Sequence, residues 1–458
     1  MVPERFQAVI AEARPLAERF AAAGHRLYLV GGVVRDAILG RTRTGDLDLT
    51  TDALPEETKA VVAGWADAVW EQGARFGTIG CSHAGRAYEI TTHRAEAYVP
   101  ESRKPDVDFA GAVEADLSRR DFTVNAMALS ILPEPELVDP FGGLQDLAEK
   151  RLRTPRAPEE SFGDDPLRML RAARFLSGYD LAPEPELVAA VTAMHGRMEI
   201  VSAERIRDEL DKLLVVPRPG RGLWLLVETG LAGEFLPELP NLALTQDPIH
   251  RHKDVLAHTI AVVEKTRPER LVRLAALFHD VGKPKTRSFG PQGVTFHHHE
   301  VVGARMTRDR MQALRYPTDD VEAITRLVEL HLRFHTYKMG WTDSAVRRYV
   351  RDAGPLLDPL NHLVRCDCTT RNQAKAQALA RRMDELEARI AQLRQQEELD
   401  AIRPDLDGRQ VMAHLGISPG PAVGQALTFL LELRLDEGPL GEEEAYRRLD
   451  EWWSARQP

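Results

Sequence analysis

Tyr28-Leu29-Val30-Gly31-Gly32-Val33-Val34-Arg35-Asp36, followed by Gly45-Asp46-Leu47-Asp48-Leu49-Thr50, decides the fold class of this chain. An apolar strand runs into a two-glycine turn and a helix start. A second strand then carries carboxylates at i and i+2. Successive side chains of a strand point to opposite faces, so Asp46 and Asp48 project from the same one. Two carboxylates that close repel unless cations lie between them, and hard oxygen ligands suit Mg²⁺. Gly31 and Gly32 let the backbone approach a triphosphate, with amide groups expected to be free for phosphate oxygens. Nucleotidyl transfer needs both devices. One metal lowers the pKa of an attacking hydroxyl, and a second, about 3.5–4 Å away, steadies the leaving pyrophosphate.

Around this stretch the pattern is α/β. Residues 1–24 carry apolar positions at helical spacing and end at Gly24. From Leu27 to about Arg153, strands are expected at 27–30, 46–50, 76–82, 86–92 and 126–132, with a helix at 55–64. Beyond about residue 155 no further strand is expected. Helical segments follow at 165–177, 186–195, 203–214, 219–229, 254–265, 268–281, 299–314, 319–331, 343–352 and 371–399. Pro/Gly-rich breaks near 154–158, 215–222 and 237–248 mark junctions. The layout is a head at 1–153, a helical neck at 154–245, a third domain at 246–370 and a helical tail at 371–458.

At 458 residues the chain exceeds one core, and 43% hydrophobic with 28% charged residues is ordinary for a soluble globular protein. No apolar run approaches a membrane span, and Met1-Val2-Pro3-Glu4-Arg5 is not a secretory leader, so a cytoplasmic location and no membrane partner are expected. Three cysteines (Cys81, Cys366, Cys368) make no disulfide framework, and Cys366 and Cys368 read as two buried thiols. The net charge of −10 argues against a generic nucleic-acid coat protein, but local arginine patches can still contact RNA.

Further chemistry-bearing residues follow in order. Glu89, in Tyr88-Glu89-Ile90-Thr91-Thr92, could bring a third carboxylate beside the Asp46/Asp48 strand. Arg119-Arg120-Asp121-Phe122-Thr123-Val124-Asn125 places two arginines, whose fork geometry suits polyphosphate, near an Asn that can bond a ribose hydroxyl. Arg168, Arg171 and Arg174 would lie along one side of a helix. If Asp165 and Arg168 face one base, an acceptor beside a donor matches an exocyclic amino group next to a ring nitrogen. Cytosine and adenine have that edge; uracil and guanine present a carbonyl instead, and a mispaired buried polar group costs about 1–3 kcal/mol.

In this order the motifs resemble class II tRNA nucleotidyltransferases and bacterial poly(A) polymerases. They are Gly31-Gly32-x-x-Arg35-Asp36, Asp46-x-Asp48, Arg119-Arg120-Asp121-Phe122-Thr123-x-Asn125, Asp139-Pro140-Phe141-Gly142-Gly143, Asp164-Asp165-x-x-Arg168 and Ser202-Ala203-Glu204-Arg205-Ile206-x-x-Glu209. The resemblance covers about the first half of the chain. It implies catalytic Asp46 and Asp48 on Mg²⁺ with Glu89 assisting. It implies nucleotide contacts from Gly31, Gly32, Arg35, Arg119, Asp121, Asn125, Arg171 and Arg174, and Asp165 and Arg168 serving as a protein template for the base. Asp164 stands where the family has Glu. Residues 98–110 resemble the family's flexible loop, which helps switch from C to A addition.

Most of the 15 histidines lie between residues 250 and 335. His258, His279-Asp280-Val281-Gly282-Lys283, His299, His331 and Asp367 fall on successive expected helices, and imidazole with carboxylate suits Mn, Fe, Ni or Zn. Residues 250–370 resemble the HD phosphohydrolase superfamily. That implies His258, His279, Asp280 and Asp367 as basic ligands of a second divalent metal, with His299 and His331 as the extra pair of binuclear members. Among His297, His298 and His299, the interval to Gly303 favours His299. Phosphomonoesterase or cyclic phosphodiesterase chemistry follows from the resemblance. The tail's Gly416-Ile417-Ser418-Pro419-Gly420 turn resembles the family's C-terminal region, as either a tRNA-phosphate contact or a plain turn.

The expected architecture is therefore an α/β, polymerase-beta-like nucleotidyltransferase head with a mixed sheet, an all-α neck, an HD-type helical domain and a helical tail. The expected activity is untemplated addition of C, C and A to tRNA from CTP and ATP. A poly(A) polymerase, CC-only or A-only addition, and an HD-type hydrolase with an RNA-binding head stand as alternatives.

Overall fold

A computed structural model describes residues 4–41, 45–74, 77–97, 106–109, 112–244, 254–290, 293–336, 341–369, 372–397 and 402–456. Two compact units emerge, Met1–Pro237 and Glu238–Pro458.

The first unit is built on a mixed seven-stranded sheet. Its strands are β1 (Leu27–Val30), β2 (Leu47–Thr51), β3 (Ala68–Gly73), β4 (Thr78–His83), β5 (Arg86–Thr92), β8 (Ala128–Ser130) and β9 (Glu136–Val138), in the order β3-β4-β5-β2-β1-β8-β9. β1 lies antiparallel to both β2 and β8, and β2 runs parallel to β5. All four residues of β1 are buried, as an apolar run at the centre of a covered sheet requires. On β2 the pleat buries Leu47 and Leu49 and leaves Asp48 half-buried on the other face. A separate ribbon pairs β6 (Arg94–Ala97) with β7 (Asp106–Phe109). It takes up part of the segment expected to be a flexible loop; residues 98–105 and 110 lie outside the described residues.

Helices complete this unit. Leu167–Gly178 packs against Ala203–Leu214 and Gly220–Glu228, burying Met169, Leu170, Ala173, Leu210 and Leu223. In the second unit a helical cluster holds Val255–Lys265, Arg270–Phe278, His299–Ala313, Thr318–Leu330 and Leu357–Asp367. The charged stretch near 371–399 is one 24-residue helix, Gln373–Gln396.

Several expectations are corrected. β3 and β9 were not anticipated: Ala68-Val69-Trp70-Glu71 and Glu136-Leu137-Val138 are short edge strands whose pairing is supplied by β4 and β8. Strands also occur beyond residue 155. β10 (Arg151–Leu152) pairs with β11 (Ala182–Pro183), and β12 (Arg287–Gly290) forms a hairpin with β13 (Gly293–Phe296). Pairs this short have no period to read. Cys366 is buried, but Cys368 is only half-buried. Among the described residues no helix is long and apolar enough to cross a membrane.

Candidate active site and metal centre

The parallel register of β2 and β5 places Asp48 directly beside Glu89. Asp46 comes two residues before Asp48, immediately ahead of the strand, and is exposed like Glu89. Asp48 and Glu89 thus sit on neighbouring strands in the middle of the sheet, with Asp46 just ahead of β2. Behind them, Thr50 Oγ1 donates to the Thr91 carbonyl at 2.9 Å and lies 2.8 Å from His93 Nδ1, tying the two strands together.

The double-glycine turn works differently from its sequence reading. The Gly31 amide donates to the Met127 carbonyl at 3.2 Å rather than standing free for phosphate. Gly31 has φ +67°, and a Cβ there would lie 2.6 Å from Arg120 Nη1. Glycine is needed for the left-handed backbone and for the approach of that guanidinium. Arg35, on the helix Gly32–Ile38, is buried; its Nη1 donates to Asn125 Oδ1 at 2.5 Å, and its guanidinium sits 4.1 Å over the Tyr179 ring. Asn125 Nδ2 donates to Asp121 Oδ1 at 2.9 Å, so its amide orients Arg35 and Asp121 rather than presenting itself to a sugar.

Asp121 in turn accepts from Arg171 Nε at 2.9 Å and Nη2 at 2.5 Å. Burial works to raise the Asp121 carboxyl, but Arg171 and the Asn125 hydrogen bond outweigh it and hold it well below the usual carboxylate range. Arg171 also faces Glu209 at 3.9 Å, and Arg174 Nε donates to Glu209 Oε1. The three arginines of Leu167–Gly178 therefore part company. Arg171 and Arg174 pair with acids, while Arg168 donates to Ser161 Oγ at 2.9 Å and to the Arg119 carbonyl.

Arg168 and Arg171 share an open cleft of about 310 Å³ with Asp116, Arg119, Arg120, Asp121, Asp165 and Arg205. Arg120 Nη2 lies 3.2 Å from Asp116, and Arg205 Nη2 lies 2.6 Å from Asp165. Arg120 belongs to the double arginine expected at polyphosphate; Arg205 stands in a motif legible in the sequence, but its part in the cleft was not. Asp164, the departure from the family pattern, pairs with Arg156 and does not line the cleft.

The second unit gathers its histidines around one carboxylate. His279 Nε2 lies 3.1 Å and His258 Nε2 3.5 Å from Asp280 Oδ2, and His299 Nε2 lies 3.4 Å from Asp280 Oδ1. Ligand atoms of His258, His279 and Asp280, and again of Asp280, His299 and His331, fall within 4.8 Å of one another. Asp367 Oδ1 is 2.9 Å from His258 Nε2. Backbone carbonyls set the rings: Nδ1 of His279 donates to Ala276, that of His299 to Phe296 and that of His331 to Val328, at 2.6–2.8 Å. A carbonyl only accepts, so Nδ1 carries the proton in each neutral ring and leaves Nε2 its lone pair for a ligand. Without a cation, burial works to lower the His279 pKa, but Asp280 beside it outweighs this and raises it. The Nε2 atoms of His299 and His331 are buried without a hydrogen-bond partner, as a metal position would leave them. His297 and His298 are exposed.

Glycine makes the approach possible here too. A Cβ on Gly282 would lie 2.1 Å from the His299 carbonyl and 2.7 Å from the Gly303 amide, so only Gly282 lets that helix bring His299 to Asp280. Electrostatics agree with a cation site. Burial would raise Asp280, but His279, His299 and Lys283 (Nζ 2.7 Å away) hold it well below its ordinary value. Burial, with His279 alongside, pushes His331 down to about 3, keeping it neutral and able to ligate. The donor set fits a divalent metal, and Asp280 belongs to both ligand groups.

Comparison with known proteins accords with this geometry. Three family models match: the Poly A polymerase head domain at residues 27–153, the probable RNA and SrmB-binding site of polymerase A at 180–242, and the HD domain at 255–393. An A-adding tRNA nucleotidyltransferase of Deinococcus radiodurans is 35% identical over 447 residues, covering 94% of this chain and 96% of the relative. The chain belongs to the tRNA nucleotidyltransferase family. A CCA-adding enzyme of Lactococcus lactis is 41% identical over 244 residues, which span 53% of this chain and 58% of that relative. The crystal structure of a Bacillus stearothermophilus CCA-adding enzyme in complex with CTP superposes with a TM-score of 0.72 at 25% identity, covering 99% of both chains. A Thermotoga maritima CCA-adding enzyme complexed with tRNA superposes at 0.60 and 18% identity, a likeness of fold. The chain is a nucleotidyltransferase, with an HD domain in its second half, and both kinds of domain imply divalent metal use.

Proposed function

We propose that this enzyme adds C, C and A to the 3′ end of tRNA without a nucleic-acid template, taking CTP and ATP, in the cytoplasm. The observation that carries the reading is the Asp48–Glu89 register pair, with Asp46 just ahead of it, in the unit that also holds the arginine-rich cleft. Asp46 and Asp48 would hold Mg²⁺, with Glu89 assisting. The metals would supply hydroxyl activation and charge stabilisation. Arg119 and Arg120 would neutralise the triphosphate, and Asp165 and Arg168 would read the amino-bearing edge shared by C and A. Gly31 and Gly32 shape the turn; Arg35, Asp121, Asn125, Arg171 and Arg174 would hold the cleft in place around the nucleotide. The test is incubation of tRNA lacking its last three nucleotides with Mg²⁺ and all four triphosphates, followed by 3′-end sequencing. Products ending in C-C-A support the reading; long A tails indicate a poly(A) polymerase instead.

A second reading, addition of the terminal A alone, is favoured by one observation: the relative that matches along nearly the whole chain is an A-adding enzyme. It predicts extension of tRNA ending in C-C but none of tRNA lacking all three nucleotides. His258, His279, Asp280, His299, His331 and Asp367 would hold Mn, Fe, Ni or Zn and support phosphoester hydrolysis, tested by phosphatase and cyclic phosphodiesterase assays with each metal.

A further inference from the structure

Arg205 stands in the cleft without any role in the reading above. It lies in the first turn of the helix Ala203–Leu214, and its Nη2 meets Asp165 Oδ2 at 2.6 Å. On its other side, Asp165 Oδ1 accepts from the Leu167 amide at 3.2 Å. The carboxylate is therefore gripped at both oxygens, and each oxygen keeps lone-pair capacity for a further donor. Arg168 is fixed independently, by Ser161 and the Arg119 carbonyl. The helix that delivers Arg205 is anchored in turn, because buried Glu209, one turn further on, binds Arg174 and faces Arg171.

We infer that Arg205 is a positioning residue for base selection: it fixes the plane of the Asp165 carboxylate so that Asp165 and Arg168 present one acceptor-donor edge. This rests on the proposal that Asp165 and Arg168 read the base. The chemistry gives the reason. Leu167 alone leaves Asp165 free to rotate about χ2, a broad torsion for a carboxylate. A rotating acceptor loses its alignment with the exocyclic amino group of C or A, and with it the penalty that U and G incur by presenting a carbonyl. The contact is half-open to solvent, so Arg205 adds little to stability and acts mainly on orientation.

The test is single-turnover and steady-state addition to defined tRNA ends with each triphosphate, comparing the native enzyme with Arg205→Ala, Arg205→Lys, Asp165→Asn and the double variant Arg205→Ala/Asp165→Asn. Arg205→Ala is expected to raise KM for the accepted triphosphates about tenfold with kcat within about twofold, and to raise relative UTP and GTP incorporation about tenfold. Arg205→Lys should restore part of the discrimination, and the double variant should be no worse than Asp165→Asn alone. Unchanged discrimination in Arg205→Ala, with discrimination lost in Asp165→Asn, overturns the role of Arg205 and leaves the base reader standing. Unchanged discrimination in Asp165→Asn overturns both. An equal fall in kcat for all four triphosphates, with a lowered thermal midpoint, would make Arg205 merely structural and overturn the inference.

Discussion

The two regions proposed to hold metal are built on opposite principles. At the central strands of the sheet, Asp46 and Glu89 are exposed and Asp48 is half-buried, and the same unit holds an open arginine-rich cleft. In the second unit, His258, His279, Asp280, His299 and His331 are all buried, and three imidazoles are locked by backbone carbonyls. Mg²⁺ keeps waters and takes substrate phosphates as ligands, so a site for it can remain open until the nucleotide arrives. A borderline metal held by imidazoles needs its ligands aligned beforehand, and burial with fixed tautomers supplies that. On this reading, the first region would be completed by substrate, and the second by the protein's own ligands.

That contrast is most directly broken at its acids. Asp46→Ala should lower nucleotide addition by about 10³-fold or more, because metal charge stabilisation is worth several kcal/mol, while metal bound in the second unit stays unchanged by elemental analysis. Equal addition by the variant would remove the sheet carboxylates from the chemistry. Asp280→Ala should abolish metal retention in the second unit and leave nucleotide addition within about twofold, since its carboxylate serves both ligand groups. Loss of addition together with metal would show the regions to be one functional site.

A smaller effect probes how the cleft is held. Asp121→Asn removes the carboxylate that accepts both Arg171 hydrogen bonds, leaving only Glu209 opposite it, and should cost about 1–3 kcal/mol at neutral pH, read by denaturant unfolding. The Asp121 carboxyl is held below its ordinary value in the folded state, so its contribution is fully present above the unfolded carboxylate range near pH 4 and is lost as pH falls below it. The gap between variant and native protein should narrow in that window. A gap independent of pH would mean that the pair is not what stabilises the cleft. The smallest effect is expected at His297→Ala: this exposed neighbour of His299 should be dispensable for metal retention, and lost metal would move the ligand assignment along the chain.

Much of this was legible before folding. The mixed α/β head followed by helices could be read from apolar spacing, and the turn, the paired acids and the His279-Asp280 motif from local order. What escaped the reading has physical causes. β9 and the strands of the β12–β13 hairpin are too short to show a period, and β3 is an edge strand exposed on both faces and so shows no alternation; all exist because a neighbour pairs with them. The freedom of the Gly31 amide was misjudged because its acceptor, Met127, lies far along the chain. Arg171 and Arg174 have the residue type for phosphate, and nothing local tells that Asp121 and Glu209 engage them. Arg205 was legible as part of a motif, but its contact with Asp165 spans two helices.

The sequence alone determined which chemistries are present: acids spaced two apart at a strand start, arginines suited to phosphate, and imidazoles with carboxylates in helical succession. These depend on residue identity and short-range spacing, which a chain carries unfolded. Tertiary structure decided which partners those groups keep. The parallel register of β2 and β5 set Glu89 beside Asp48, the contact of Gly282 with the His299 helix brought a histidine to Asp280, and Arg205 was delivered to Asp165. Such pairings depend on long-range packing and close backbone approach, which no local pattern encodes.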